Sequence, residues 1–401
     1  MKNALACLLL LAAMPAWAAT TNNDDSCDIA LQPAATLLLP YFEVDLKTRA
    51  ATTLFTLQNV SPAPVIANVT LWTDWGYPAF NFPIHLTGYD VQGVNLYDVL
   101  ALGAMPPTEC HAGNISPAIL PDLQAAFLTG GGSACTSPIG FFHLRAIGYA
   151  TIDVVASCSA KSVASSDYFA TLLYDNVLTG DYQQLATFED HPYASGGPLV
   201  HIRAVPEGGA AGSVIATSLP YTFYDIYTPA PALRKSDRRQ PLPSLFTPRF
   251  INGGTGAFST TLKIWRESIT TGSCGGAQAA ISNSRMTIAD VARFDEHENA
   301  TVVSVCGTPC TLPGTSSTAS VPASNTTFLP PFSTSGDVGG WFYLNLDNRR
   351  MTGRASQNWA TTSMFAGPTY ATEAMVTVLG NGCSPAAKKG AQIAPAPNPN
   401  P

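Results

Sequence analysis

The chain has 401 residues, 46% of them apolar and only 12% charged, with 20 Lys and Arg against 27 Asp and Glu. A mildly acidic, charge-poor surface argues against nucleic acid as a partner, because phosphate binding rests on clustered Lys and Arg. The 32 Gly and 32 Pro, with abundant Thr, Ser and Asn, suit strands and tight turns better than helices.

The N-terminus reads as a cleavable signal peptide over residues 1–18. Lys2 supplies the positive end, Ala4 to Ala13 the apolar run, Pro15 a break, and Ala16-Trp17-Ala18 the small-x-small cleavage pattern. That run is shorter than the roughly 20 residues a membrane-spanning helix needs. No later stretch approaches that length, so the expectation is an exported chain: periplasmic, cell-surface or secreted. Cys7 leaves with the signal; Cys27, Cys110, Cys135, Cys158, Cys274, Cys306, Cys310 and Cys383 remain. An even set in an exported chain favours disulfides. Spacing suggests Cys110 with Cys135, closing a Gly-rich loop, and Cys274 with Cys306 or Cys310.

Thr52 to Val60 reads as a strand, Ser61-Pro62-Ala63-Pro64 as a turn, and Val65 to Trp72 as a second strand completing a hairpin. Val65, Ala67, Val69 and Leu71 share one face, while Asn68 and Thr70 take the other. Short helices are expected near Ser116-Pro117, from Pro121 to Leu128, and after Ser166. Further strands are expected at Phe141–Ala146, Tyr149–Val155, Val200–Val205 and Tyr221–Tyr227. In the second half they fall at Thr260–Trp265, Thr301–Val305, Trp341–Leu346 and Ala374–Leu379, while Ile288 to Ala292 fits a helix or a strand. Pro229, Pro231, Pro241 and Pro243 surround the basic run Arg234 to Arg239, which reads as a solvated linker. Thr311 to Thr327 is rich in Ser and Thr, and the Pro-rich end from Ser384 has nothing apolar to bury.

An internal repeat organises this series. Leu37, Pro40, Phe42, Thr52, Thr53 and Leu54 recur at one offset as Leu245, Pro248, Phe250, Thr260, Thr261 and Leu262. Later, Gly148-Tyr149 to Val154 resembles Gly340-Trp341 to Leu346. The expected architecture is all-β: two immunoglobulin-like β-sandwich domains with a few short helices in loops. The first spans 19–228 with a loop insertion, the second 244–383, joined by the linker 229–243 and followed by a tail at 384–401.

No constellation commands a chemistry. Asp190, His191 and Ser195 lie close in sequence, but Pro192 and the glycines around them mark a loop, and no Gly-x-Ser-x-Gly elbow is present. Asp295-Glu296-His297-Glu298 reads as a solvated turn; it matches neither a Ca²⁺ loop nor a zinc motif. No metal or cofactor is expected. Trp72, Asp74, Trp75 and Tyr77, with Phe80, Phe82 and Tyr89, form an aromatic cluster that either stacks on a ligand such as a sugar or packs in the core.

The segments Leu38-Leu39-Pro40-Tyr41-Phe42-Glu43-Val44-Asp45, Thr53 to Val60 and Leu71-Trp72-Thr73-Asp74-Trp75-Gly76 resemble a group of uncharacterised bacterial secreted β-rich proteins. The resemblance covers mainly residues 35 to 100. It implies export and a β-rich fold and brings no activity. The expected function is non-enzymatic binding or surface assembly with an extracellular or envelope partner, a glycan or a protein. The alternatives are a secreted hydrolase acting on polysaccharide or peptide, and a structural subunit of a surface layer or filament.

Overall fold

A computed structural model describes residues 31–74, 76–129, 144–158, 161–163, 167–188, 191–204, 239, 242–254, 258–266, 287–288, 290–304, 310–311, 318–322, 339–346, 357–366, 370–375 and 377–380. The first half runs β1 (Thr36–Val44), β2 (Ala51–Asn59), β3 (Val65–Thr73), β4 (Pro78–Leu86), β5 (Val91–Asn95), α1 (Leu96–Leu102), α2 (Leu120–Thr129), β6 (Ala146–Val155), β7 (Leu178–Phe188), β8 (His191–Pro198) and β9 (Val200–Ile202). The second runs β10 (Leu245–Thr247), β11 (Arg249–Ile251), β12 (Phe258–Arg266), β13 (Thr287–Ile288), β14 (Asp290–Asp295), β15 (Ala300–Ser304), β16 (Cys310–Thr311), β17 (Thr318–Pro322), β18 (Gly339–Asn345), β19 (Asn358–Ala366), β20 (Tyr370–Met375) and β21 (Thr377–Gly380).

The fold is all-β and sandwich-like, built from antiparallel sheets, and the repeat is written into its strand order. In the first half, β4-β3-β6-β1-β9 forms the inner sheet and β5-β2-β7-β8 the outer. In the second, β15-β14-β18-β10-β21, with β11 also on β18, answers the inner sheet, and β17-β12-β19-β20 answers the outer. Local details repeat too. Phe42 sits opposite Gly148, and Phe250 opposite Gly340. A Cβ on Gly148 would lie 2.0 Å from the Trp72 carbonyl oxygen, and one on Gly340 would lie 2.1 Å from that of Phe294. The glycines are therefore dictated by close backbone approach, at equivalent places. Thr53 bonds both the N–H and the carbonyl of Glu43; Thr260 does the same to Ile251.

The expected hairpin of β2 and β3 is instead an arch, for the two strands lie in different sheets. The prolines at 62 and 64 prevent a tight hairpin turn, and Asn59 holds the arch. Its amide donates to the carbonyls of Ala63 (2.7 Å) and Thr87 (2.8 Å), and its oxygen accepts from the Ser61 N–H. Helix α1 was not foreseen, although its signals are present. Asn95 caps it by accepting from the Tyr97 N–H, and Gly103 ends it in a left-handed conformation (φ 70°). The helix expected after Ser166 is a short 3₁₀ turn at Tyr168–Thr171. The segment around Ile288 is strand.

Alternation along β3 was read correctly, yet both of its faces are buried. Val69 and Leu71 join the first sandwich core with Phe42, Phe55, Leu57 and Phe127. The other face meets the second half of the molecule. Leu38, Trp72, Tyr149, Val200 and Ile202 share one apolar cluster with Phe246, Leu262, Trp265, Phe342 and Trp359. The two halves are thus joined through a common core. Arg239 makes the point directly. Expected in the exposed basic run, it is 1% exposed and reaches Asp153, 0% exposed, at 3.3 Å. Asp153 also accepts from the hydroxyls of Thr36 and Tyr168, each at 2.6 Å, and Asn68 donates to the Tyr168 oxygen at 3.2 Å. This polar network occupies the face of β3 and β6 turned toward the second half.

His201 sits in the middle of β9 with its Nε2 3.3 Å from the backbone of Gly180. Burial holds its pKa below the ordinary imidazole value, only partly offset by that hydrogen bond. A group with a depressed folded pKa contributes stability above its unfolded value and loses it as pH falls. The expected result is a falling melting temperature as pH drops from 7 toward 5, in a window above the ordinary carboxylate range. His201→Gln would flatten that decline in a thermal titration. An unchanged slope in the variant would remove His201 as its source.

Candidate functional site

The aromatic cluster does not form the exposed platform considered from sequence. Trp72 is 2% exposed, stacks on Tyr149 with ring centroids 5.4 Å apart, and donates from Nε1 to Thr151 at 2.9 Å. Asp74 is buried as well. Trp72 is corrected to a core position, because the second half covers the face on which it lies, and Asp74 to a buried one. Tyr77 is half-buried at the start of the β4 hairpin, and burial raises its phenol pKa. Trp75 lies outside the described residues.

Asp190 also lies outside them, and the segment after it is an edge strand, not a loop. Proline is tolerated at Pro192 on such an edge, and Gly196 and Gly197 pair with Gln183 and Tyr182. His191 and Ser195 are therefore four positions apart on extended chain, about 13 Å in backbone terms. That is far from the contact a nucleophile and its base require. Asp295 ends β14 as a turn-former: its carboxylate accepts from the backbone N–H groups of His297 and Asn299. Among the described residues no group of three or more His, Cys, Asp and Glu side chains is placed to hold a metal. No helix among them is long and apolar enough to cross a membrane.

The expected Cys110–Cys135 disulfide is corrected. Cys110 is bonded to Cys158, tying the loop after α1 to the end of β6. Sequence proximity favoured Cys135, but the topology brings the end of β6 to that loop. Cys135, Cys274 and Cys306 lie outside the described residues, and of Cys310 only its place in β16 is described.

A groove of about 380 Å³ opens on the outward face of the outer sheet, beside β5 and α1. Strand pairing lays its floor in two rows: Asn95, Leu54 and Gln183, then Gly93, Thr56 and Asp181. Alternation explains the rows, since Phe55 and Tyr182 between them point into the core. The walls are Asp98 and Val99 of α1 and the segment Ala104 to Pro106. Asn95 is held by its cap, and Gln124 of α2 bonds the Leu100 carbonyl, so the α1 wall is anchored. At the rim, Arg49 lies 3.4 Å from Asp98 and stacks over Tyr97. Among the described residues Asp181 and Gln183 are exposed and their side chains make no hydrogen bond. Nothing lies within 4 Å of where a Cβ on Gly93 would project. The groove thus has an open floor, two carboxylates and uncommitted polar groups, at a volume typical of ligand sites. Sequence reasoning missed it because its residues come from β2, β5, α1 and β7 and look like an ordinary solvated face.

No protein-family model, curated protein or solved structure matches this chain.

Proposed function

We propose that this is an exported, non-enzymatic binding protein, and that the groove beside Gly93 is where it recognises an extracellular or envelope partner. The carrying observation is a polar cleft whose floor side chains, Asp181 and Gln183, have no bond to make within the described fold. Amide N–H donors and carboxylate acceptors together suit a partner that offers both hydroxyl or amide groups and positive charge. The first-half core beneath, with Phe55, Val94, Val99 and Tyr182, makes the cleft rigid, so little ordering is lost on binding. Export rests on the N-terminal pattern and on the disulfide, which suits an oxidising compartment. The immunoglobulin-like reading of each sandwich belongs to the same proposal and is supported by paired antiparallel sheets joined by arches.

The test uses Gly93→Leu, a side chain directed into open space. Its melting temperature is expected to stay close to that of the parent, since surface changes cost within about 0.5 kcal/mol. Binding on a glycan array and a basic-peptide array is expected to disappear. Binding that survives the substitution, or turnover of an arrayed polysaccharide or peptide, would defeat the proposal.

A further inference from the structure

We infer that the partner received by the groove face is a second copy of this chain, docked head to tail. This rests on the proposed groove and names its occupant. The template is the contact between the two halves. On the inner sheet of the first half, Tyr149 and Trp72 are paired and stacked, and Tyr41 lies at the β1 irregularity between Leu39 and Phe42 to complete an aromatic row. The second half's outer sheet covers that row through two β12 residues. Lys263 lies 5.3 Å over the Tyr41 ring, and Trp265 packs edge-on against Tyr149 with centroids 5.6 Å apart.

The second half carries the same row at equivalent positions: Arg249, Trp341 and Phe294, paired in that order across β11, β18 and β14. Trp341 and Phe294 stack at 4.2 Å, as Tyr149 and Trp72 do. Their surroundings differ. Trp72 and Tyr149 are 2% and 4% exposed, whereas Trp341 and Phe294 are only half-buried, with Arg249 and Ile251 exposed beside them. Among the described residues no sheet lies over this row. The equivalent of the covering sheet does exist on every copy: it is the groove face. The matching Thr53 and Thr260 hydrogen bonds shift the repeat in this strand by one residue from the sequence match, setting the core residues Leu262 and Ile264 against Phe55 and Leu57, so Lys263 corresponds to Thr56, whose neighbour in the row is Asp181. Repeating the internal contact between copies would therefore bring Arg249 against the carboxylate of Asp181, near Asp98. Opposite charges meet where the internal contact pairs a cation with a ring. Two different faces are used, so the contact is head to tail and continues from copy to copy, into strings or, where the rotation closes, rings.

The experiment is sedimentation and electron microscopy of the whole mature chain over a concentration series. Mass is expected to climb with concentration beyond a dimer, and short strings or rings to be visible. Arg249→Glu, on an exposed side chain, is expected to weaken association about tenfold, as is Asp181→Arg, while melting temperatures hold. Combining Arg249→Glu with Asp181→Arg is expected to restore association. A monomer at every concentration, a closed dimer indifferent to both substitutions, or failure of the combined variant to recover would overturn the inference. If the protein stays monomeric yet binds an arrayed glycan or basic peptide in a Gly93→Leu-sensitive way, only the second-copy assignment falls. Absence of both would remove the groove reading as well.

Discussion

Asp153→Ala is expected to cost about 3–5 kcal/mol, because it removes one member of a buried ion pair together with the acceptor of two buried hydroxyl bonds. Few single substitutions cost so much, and the loss is a large part of the roughly 5–15 kcal/mol that holds a typical domain together. The reason lies in placement. Both partners are essentially inaccessible, and the carboxylate gathers Thr36, Tyr168 and Arg239 around it. Arg239→Met is expected to be milder. Its methionine fills the volume with apolar atoms, and the remaining carboxylate keeps two hydroxyl donors. The double variant Asp153→Leu with Arg239→Met should recover part of the single loss, the usual behaviour when a whole buried pair is exchanged for apolar atoms. Urea unfolding at constant pH measures all three. A midpoint for Asp153→Ala equal to that of the parent would mean that the pair does not stabilise the fold.

Loss of the Cys110–Cys158 disulfide should come next in size. The two residues are separated by 48 positions, and closing a loop of that length in the unfolded chain corresponds to roughly 4 kcal/mol in the chain-entropy account. Cys110→Ser with Cys158→Ser, and the reduced parent, should therefore unfold at similarly lowered denaturant concentrations. Peptide mapping of the oxidised protein should recover residues 110 and 158 in one linked fragment. A linked pair of 110 and 135 would reverse the assignment.

Much of the architecture was legible because strand signals and turn signals do not depend on distant parts of the chain. The β3 alternation, the Gly148 and Gly340 blocks and the Phe42 and Phe250 correspondence all identify strands and their repetition from local pattern. What failed did so for non-local reasons. Nothing in Trp72 to Tyr77 says whether that face meets water or another sheet. Arg239 looks like any residue of a basic linker until the fold places Asp153 beside it. Pro192, Gly196 and Gly197 resemble a loop, although an edge strand accommodates all three. The groove was illegible for a related cause: Asp98 and Asp181 approach one another only through strand order.

The shared core also sets a timetable for synthesis. Tyr149 and Trp72 leave the ribosome well before Trp265 and the strands that flank it exist to cover them. At about 5–20 residues per second, the wait is on the order of ten seconds. Throughout that interval the nascent first half would present a sticky aromatic stripe and an unneutralised Asp153. Such a chain has reason to be chaperoned in an unfolded state until its last strands are made.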